Sequence, residues 1–153
     1  MKFKLFLIIL LSIQISIYCF TAVSEPLKWT FPKDHGSHPE YEIEWWYFTG
    51  HLTGKSEYGF EITFFRVSND IPTTNLTFHP KEFIITHFAL TDVKRQKFYH
   101  YEKINRYFPE ITYTTQNNLN LKNGPYSIFL DKDGFFHIKA EINSESLTLK
   151  IKP

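Results

Sequence analysis

The run Glu44-Trp45-Trp46-Tyr47-Phe48 leaves the chain few folds to adopt. Adjacent tryptophans beside a tyrosine and a phenylalanine are too bulky and too apolar for a solvated turn. In a strand, successive side chains point to opposite faces, so both faces of this one need a cover.

A partner strand follows at once. Ile43–Leu52 and Tyr58–Val67 alternate and are joined by the polar stretch Thr53 to Glu57, the pattern of a hairpin. If Leu52 faces Tyr58, then Gly50 faces Phe60, Phe48 faces Ile62, Trp46 faces Phe64 and Glu44 faces Arg66. One face becomes an apolar wall ending in an acid opposite a base, as in a barrel interior with a charged clasp at one mouth. The other face is mixed and carries Trp45, Tyr47, Thr49, His51, Glu61, Thr63 and Phe65.

Further runs continue the pattern. Phe83–Val93 turns through Lys94 to Lys97 into Phe98–Tyr107. One face of that pair gathers Ile85, His87, Ala89, Thr91, His100, Glu102 and Ile104; the other holds Phe88, Leu90, Tyr99, Tyr101 and Tyr107. Either face is a candidate for the interior. Weaker runs at Ile111–Thr115 and Leu119–Lys122 precede Tyr126–Leu130 and Phe135–Ile142, which flank an Asp131 to Gly134 turn. Leu147, Leu149 and Ile151 alternate with polar residues as a strand with one wet face. No stretch has a helical period. Seven to nine strands with short polar turns predict an all-β antiparallel meander whose closure removes exposed edges.

Ahead of this meander, Glu25 to Glu40 holds three prolines and Gly36 and reads as an arm or ordered loop, with a short extended piece at Leu27–Phe31. Residues 1–24 read as an export signal: Lys2 and Lys4, an apolar run from Leu5 to Ile13, and small residues up to Ser24. Gln14 breaks the run short of the roughly 20 apolar residues of a spanning helix, so no stable membrane span is expected after cleavage. Cleavage removes two lysines and the sole Cys19, leaving fifteen basic and sixteen acidic residues and no disulfide. A charge near minus one offers nothing to nucleic acid or an anionic membrane. The expected location is secreted or periplasmic. A glycosylation-type triplet, Asn75-Leu76-Thr77, sits in the loop from Asn69 to Pro80.

Few residues are placed for chemistry. Glu44 has two readings: an internal ion pair with Arg66, or a carboxyl among aromatic rings whose pKa rises until it can donate a proton. His87 lies on a face with His100 and Glu102, where a base and an acid can converge. His35 and His38, beside Asp34 and Glu40, sit on a loop with no helix to align them and no cysteine to assist. A hydrogen-bonded structural loop, with Asp34 capping its own backbone and Gly36 making the bend, is expected there instead of a metal site. Neither a Gly-x-Ser-x-Gly elbow nor a glycine-rich phosphate loop occurs. No cofactor is expected.

Asp34-His35-Gly36, His38-Pro39, Glu44-Trp45-Trp46-Tyr47 and Thr49-Gly50-His51-Leu52 together resemble the N-terminal motif of the carotenoid 1,2-hydratases and the AttH-like proteins grouped with them as secreted hydrolases. The resemblance continues through Phe64-Phe65-Arg66 and His87 to Asp92, and departs at Glu61, where the family carries a glutamine. It implies that residues 25–153 form a lipocalin-like (calycin) barrel, as half of a two-barrel architecture whose second half is a partner. It implies an apolar or isoprenoid-like small molecule as ligand, against Trp46, Phe48, Phe60, Phe64 and Arg66. It also implies a hydratase reaction, protonation of an isoprenoid double bond and addition of water, whose proton donor the family carries in its later half and which matches no position here; the candidate catalytic groups of this chain, Glu44 and His87, rest on their own surroundings alone. Asp34, His35, Gly36, His38, Trp45, Tyr47 and Gly50 fall in the structural motif. A third reading is a non-catalytic domain whose outer aromatics, Trp45 and Tyr47, dock on a partner.

Overall fold

A computed structural model describes residues 28–69, 80–142 and 145–152 of the chain. The leader, Cys19 and the Asn75 triplet lie outside the described residues. The described residues form nine antiparallel strands: β1 (Ile43–Thr53), β2 (Glu57–Ser68), β3 (Glu82–Asp92), β4 (Lys97–Arg106), β5 (Thr112–Tyr113), β6 (Asn120–Asn123), β7 (Tyr126–Leu130), β8 (Phe136–Ile142) and β9 (Glu145–Ile151). One turn of 3-10 helix, Lys33–His35, stands in the arm, where no extended strand forms.

The β1–β2 register is the one read from alternation: Leu52 faces Tyr58, Trp46 faces Phe64 and Glu44 faces Arg66. β3 adds to β2 and β4 to β3, giving a four-stranded sheet in sequence order. The inward face of β3–β4 is the one with Phe88, Leu90, Tyr99 and Tyr101; Tyr107 falls past the end of β4 and is exposed. Every second residue of β3, from Ile84 to Asp92, is buried.

The meander does not close as one continuous ladder. Hydrogen bonding stops between β4 and β5, and β5 to β9 make a second, five-stranded sheet. The break falls at Pro109, which has no N–H to give, and Glu110, whose φ is 69°. The two sheets instead pack face to face. Phe60, Ile62, Phe64, Ile84, Phe88 and Leu90 from the first and Leu121, Tyr126, Ile128, Ile138 and Ala140 from the second form one buried cluster. A fully buried side chain of this size contributes about 2 kcal/mol relative to exposure, so the filled core is what holds a disulfide-free domain together.

Two polar devices seal the seams. Asn123 on β6 is fully buried; its Nδ2 donates to Ile84 O, Thr86 Oγ1 and Lys103 O, and its Oδ1 accepts from Asn105 Nδ2 at 2.7 Å. It thereby ties the second sheet to β3 and β4. At the opposite seam the arm crosses one end of the sandwich. Trp46 Nε1 donates to His35 O at 2.9 Å, Ser37 N donates to Thr115 O at 2.8 Å, and the His35 ring meets Phe136 edge-on.

Candidate functional site

Glu44, near the start of β1, faces inward at the end of the sandwich that the arm covers. Its Oε2 accepts from Arg66 Nε at 2.6 Å, its Oε1 accepts from His38 Nδ1 at 2.7 Å, and both oxygens receive the His38 backbone N–H. Arg66 is 1% exposed and donates through its second nitrogen to His38 O and Tyr41 O. Its remaining nitrogen lies 3.6 Å from Glu82. Burial pushes the Glu82 carboxyl above its usual range, while the Arg66 guanidinium pulls it back. All of Glu44's oxygens face donors of the protein itself, which is the geometry of an ion pair locking the arm to β1 and β2 and leaves no carboxyl edge open to a ligand.

The motif residues around it serve the same closure. Asp34 bonds the backbone of its own segment: its N–H donates to Thr30 O, its carboxylate accepts from Thr30 N, and it faces His38 Nε2 at 3.7 Å. Gly36 has an ordinary φ of −75°, so the bend itself does not require glycine. What does is space: a Cβ there would lie 2.4 Å from Gln116 O. His35 stacks on Phe31 at 4.3 Å, and burial pushes its ring below the usual imidazole range, with Asp34 pulling the other way. His35 and His38 therefore serve different contacts. Among the described residues no group of three or more His, Cys, Asp or Glu is placed to hold a metal ion.

The apolar wall is packed. Phe60 and Phe64 are buried in the core, while Trp46 and Phe48 lean on it, Phe48 meeting Phe136 at 5.6 Å. Gly50 stands opposite Phe60, and a Cβ at Gly50 would come within 3.1 Å of the Phe60 ring.

His87 lies on the other side of the same sheet. Its Nε2 is 3.0 Å from Glu102 Oε2, and its ring meets Phe65 and His100 edge-on. The two residues named for catalysis thus face opposite sides of one sheet and share no site. That outer face is the larger surprise. Trp45 is 62% exposed, Tyr47 55%, Phe98 67% and Ile104 56%, and Ile43 is exposed as well. Half-buried Phe65, Val67, Phe83 and Ile85 fill the space between them. No described element of the chain covers this face.

A family model described as AttH-like matches residues 22–153. The chain belongs to the AttH-like family. A crystal structure of a candidate AttH from Nitrosomonas europaea is similar to this AttH-like chain with a TM-score of 0.70 and 32% identity, over 84% of this chain and 39% of that one. The fold is accordingly all-β and lipocalin-like, and the chain spans about two-fifths of that AttH relative's length. Among curated proteins none matches.

Sequence reasoning missed Glu82, Asn123 and the backbone of Thr115 and Gln116. Glu82 was legible in principle, since it shares the parity of Ile84 on a strand opposite Arg66. The contacts of Asn123 and Gln116 join distant segments and leave no periodic trace.

Proposed function

We propose that this AttH-type domain is a docking module: the outer face of β1–β4 seats a second lipocalin-like half, on the same or a separate polypeptide. The observation that carries this reading is that Ile43, Trp45 and Tyr47 of β1 and Phe98 and Ile104 of β4 stand exposed on one face of the sheet, with half-buried Phe65, Val67, Phe83 and Ile85 between them and no described element over them. Each of these side chains, left half in water, forgoes on the order of 1 kcal/mol of burial, and contiguous apolar surface of that kind marks interaction sites. Four strands about 4.8 Å apart and ten residues rising about 3.3 Å each make a face of roughly 600 Å² before side-chain relief is counted. That approaches the roughly 800 Å² per partner of a stable interface. The occupant is a second half because the relative from Nitrosomonas europaea is a chain of which this one covers 39%.

The apolar-ligand and hydratase readings call on the inner wall of Trp46, Phe48, Phe60 and Phe64 and on a free acid at Glu44. Those groups are committed to the core and to Arg66, so any ligand chemistry would have to be built together with the second half. Export through residues 1–24 stays part of the proposal and is checked by the N-terminus of the mature protein.

The test is to tag the chain in its own host and analyse what it holds. Retention of one polypeptide whose sequence continues the AttH-like pattern, lost in the Trp45→Lys, Ile104→Lys double variant with an unchanged circular dichroism spectrum, is the expected result. A monomer whose own polypeptide carries no second half, a self-dimer, or a double variant that keeps its partner would defeat the docking reading.

A further inference from the structure

The outer face carries polar groups among its rings, and one of them constrains what the second half must bring. Gly59 on β2 and Ala89 on β3 are small residues on an otherwise ring-rich face. They help form a hollow of about 220 Å³ that is also bordered by Thr49, His51, Glu61, Thr91 and Phe98. Glu61 is the one carboxylate in its wall. Its Oε1 accepts from Thr63 Oγ1, and among the described residues no lysine, arginine or histidine pairs with it.

The surrounding charge does not supply that pairing. Outward positions of β1, β2 and β3 carry Glu57 and Glu61 but no lysine or arginine. On β4 the outward Glu102 is engaged by His87, and Arg106 stands at the end of the strand away from Phe98. A surface that covered this face with apolar groups alone would bury the Glu61 carboxylate without a counter-charge, which is strongly unfavourable. A cation removes the conflict, because the carboxylate accepts its hydrogen bonds and the open ring of Phe98 attracts its positive charge.

We propose that the hollow between His51, Glu61 and Phe98 is the socket for one basic side chain, an arginine or a lysine, presented by the second half. This rests on the docking reading, and the experiment separates the two. The probe is n-butylguanidinium, with n-butanol as its neutral counterpart, titrated into the whole chain and followed by amide NMR. Saturable shifts at Gly59, Glu61, Ala89 and Thr91 are expected with the cation and not with the alcohol. Glu61→Gln keeps the size of the side chain and the bond from Thr63, and should weaken cation binding about fivefold or more. No saturable binding, equal binding of the alcohol, or unchanged binding by Glu61→Gln overturns the socket. In the tagged-chain experiment Glu61→Lys should release the second half. If Trp45→Lys with Ile104→Lys releases it and Glu61→Lys does not, docking stands and the socket falls. If even the unaltered chain retains no second half, the docking reading fails and takes the assigned source of the cation with it.

Discussion

Arg66 Nε lies 2.6 Å from Glu44 Oε2 across the β1–β2 ladder, and the arm supplies two backbone carbonyls, His38 O and Tyr41 O, to the rest of the guanidinium. A buried ion pair repays its desolvation only when its remaining hydrogen-bonding groups are met, and here they are met by the arm. The pair is therefore a latch between sheet and arm.

Glu44→Gln should destabilise the domain by about 3 kcal/mol, because it leaves a buried guanidinium with only the more distant Glu82 as a counter-charge. Urea unfolding of the two proteins measures it. An unchanged midpoint would mean that the latch carries no stability.

Gly36→Ala places a methyl group against the Gln116 carbonyl, which is backbone and cannot swing aside. Overpacking of this kind costs about 1–3 kcal/mol. Thermal unfolding should show the loss. Gly54→Ala, where nothing lies within 4 Å of the new Cβ, is the control expected to show little change.

Asn123→Leu removes the cross-seam bonds and takes the partner from the buried Thr86 hydroxyl and from the Asn105 amide. Buried groups left unpaired cost about 1–3 kcal/mol each, so a loss of several kcal/mol is expected. Hydrogen exchange should accelerate first in β5 and β6, the short strands that Asn123 joins to the first sheet.

Acid should weaken the Asp131 turn. Hydrogen bonds from His137 and from the Phe135 amide lower the Asp131 carboxyl from an ordinary 3.8 to about 2. The folded value lies below the unfolded one, so its stabilisation is complete above about pH 4 and is lost as pH falls toward 2. Melting curves taken between pH 5 and pH 2 should converge for the native chain and Asp131→Asn. Parallel curves would show that the carboxylate is not linked to folding.

Strand identity and β1–β2 register were legible because alternation is a local property. The matched set from Leu52 and Tyr58 to Glu44 and Arg66 aligns Trp46, Phe48, Phe60, Ile62 and Phe64 on one side, and a slip by one would turn one strand's share of them outward. The Asp131 turn was legible for the same reason, with Gly134 at φ 80°. For β3 and β4 alternation separated two faces but could not rank them. The outer one carries Ile85, Ala89 and Ile104, apolar enough to pass for a core. The glycine of the arm misled differently: Gly36 was read as a bend, and its need is set by a carbonyl eighty residues further on.

Local order, then, was written in the chain: strands, one hairpin register, an opposed acid and base. Tertiary packing decided the rest. It split the meander into two sheets at Pro109, gave the arm its place across the open end, and left one aromatic face that no described element covers. Periodicity reports which side chains share a side of a strand. Which side is inside depends on what packs against it, and that is a property of distant segments meeting in space.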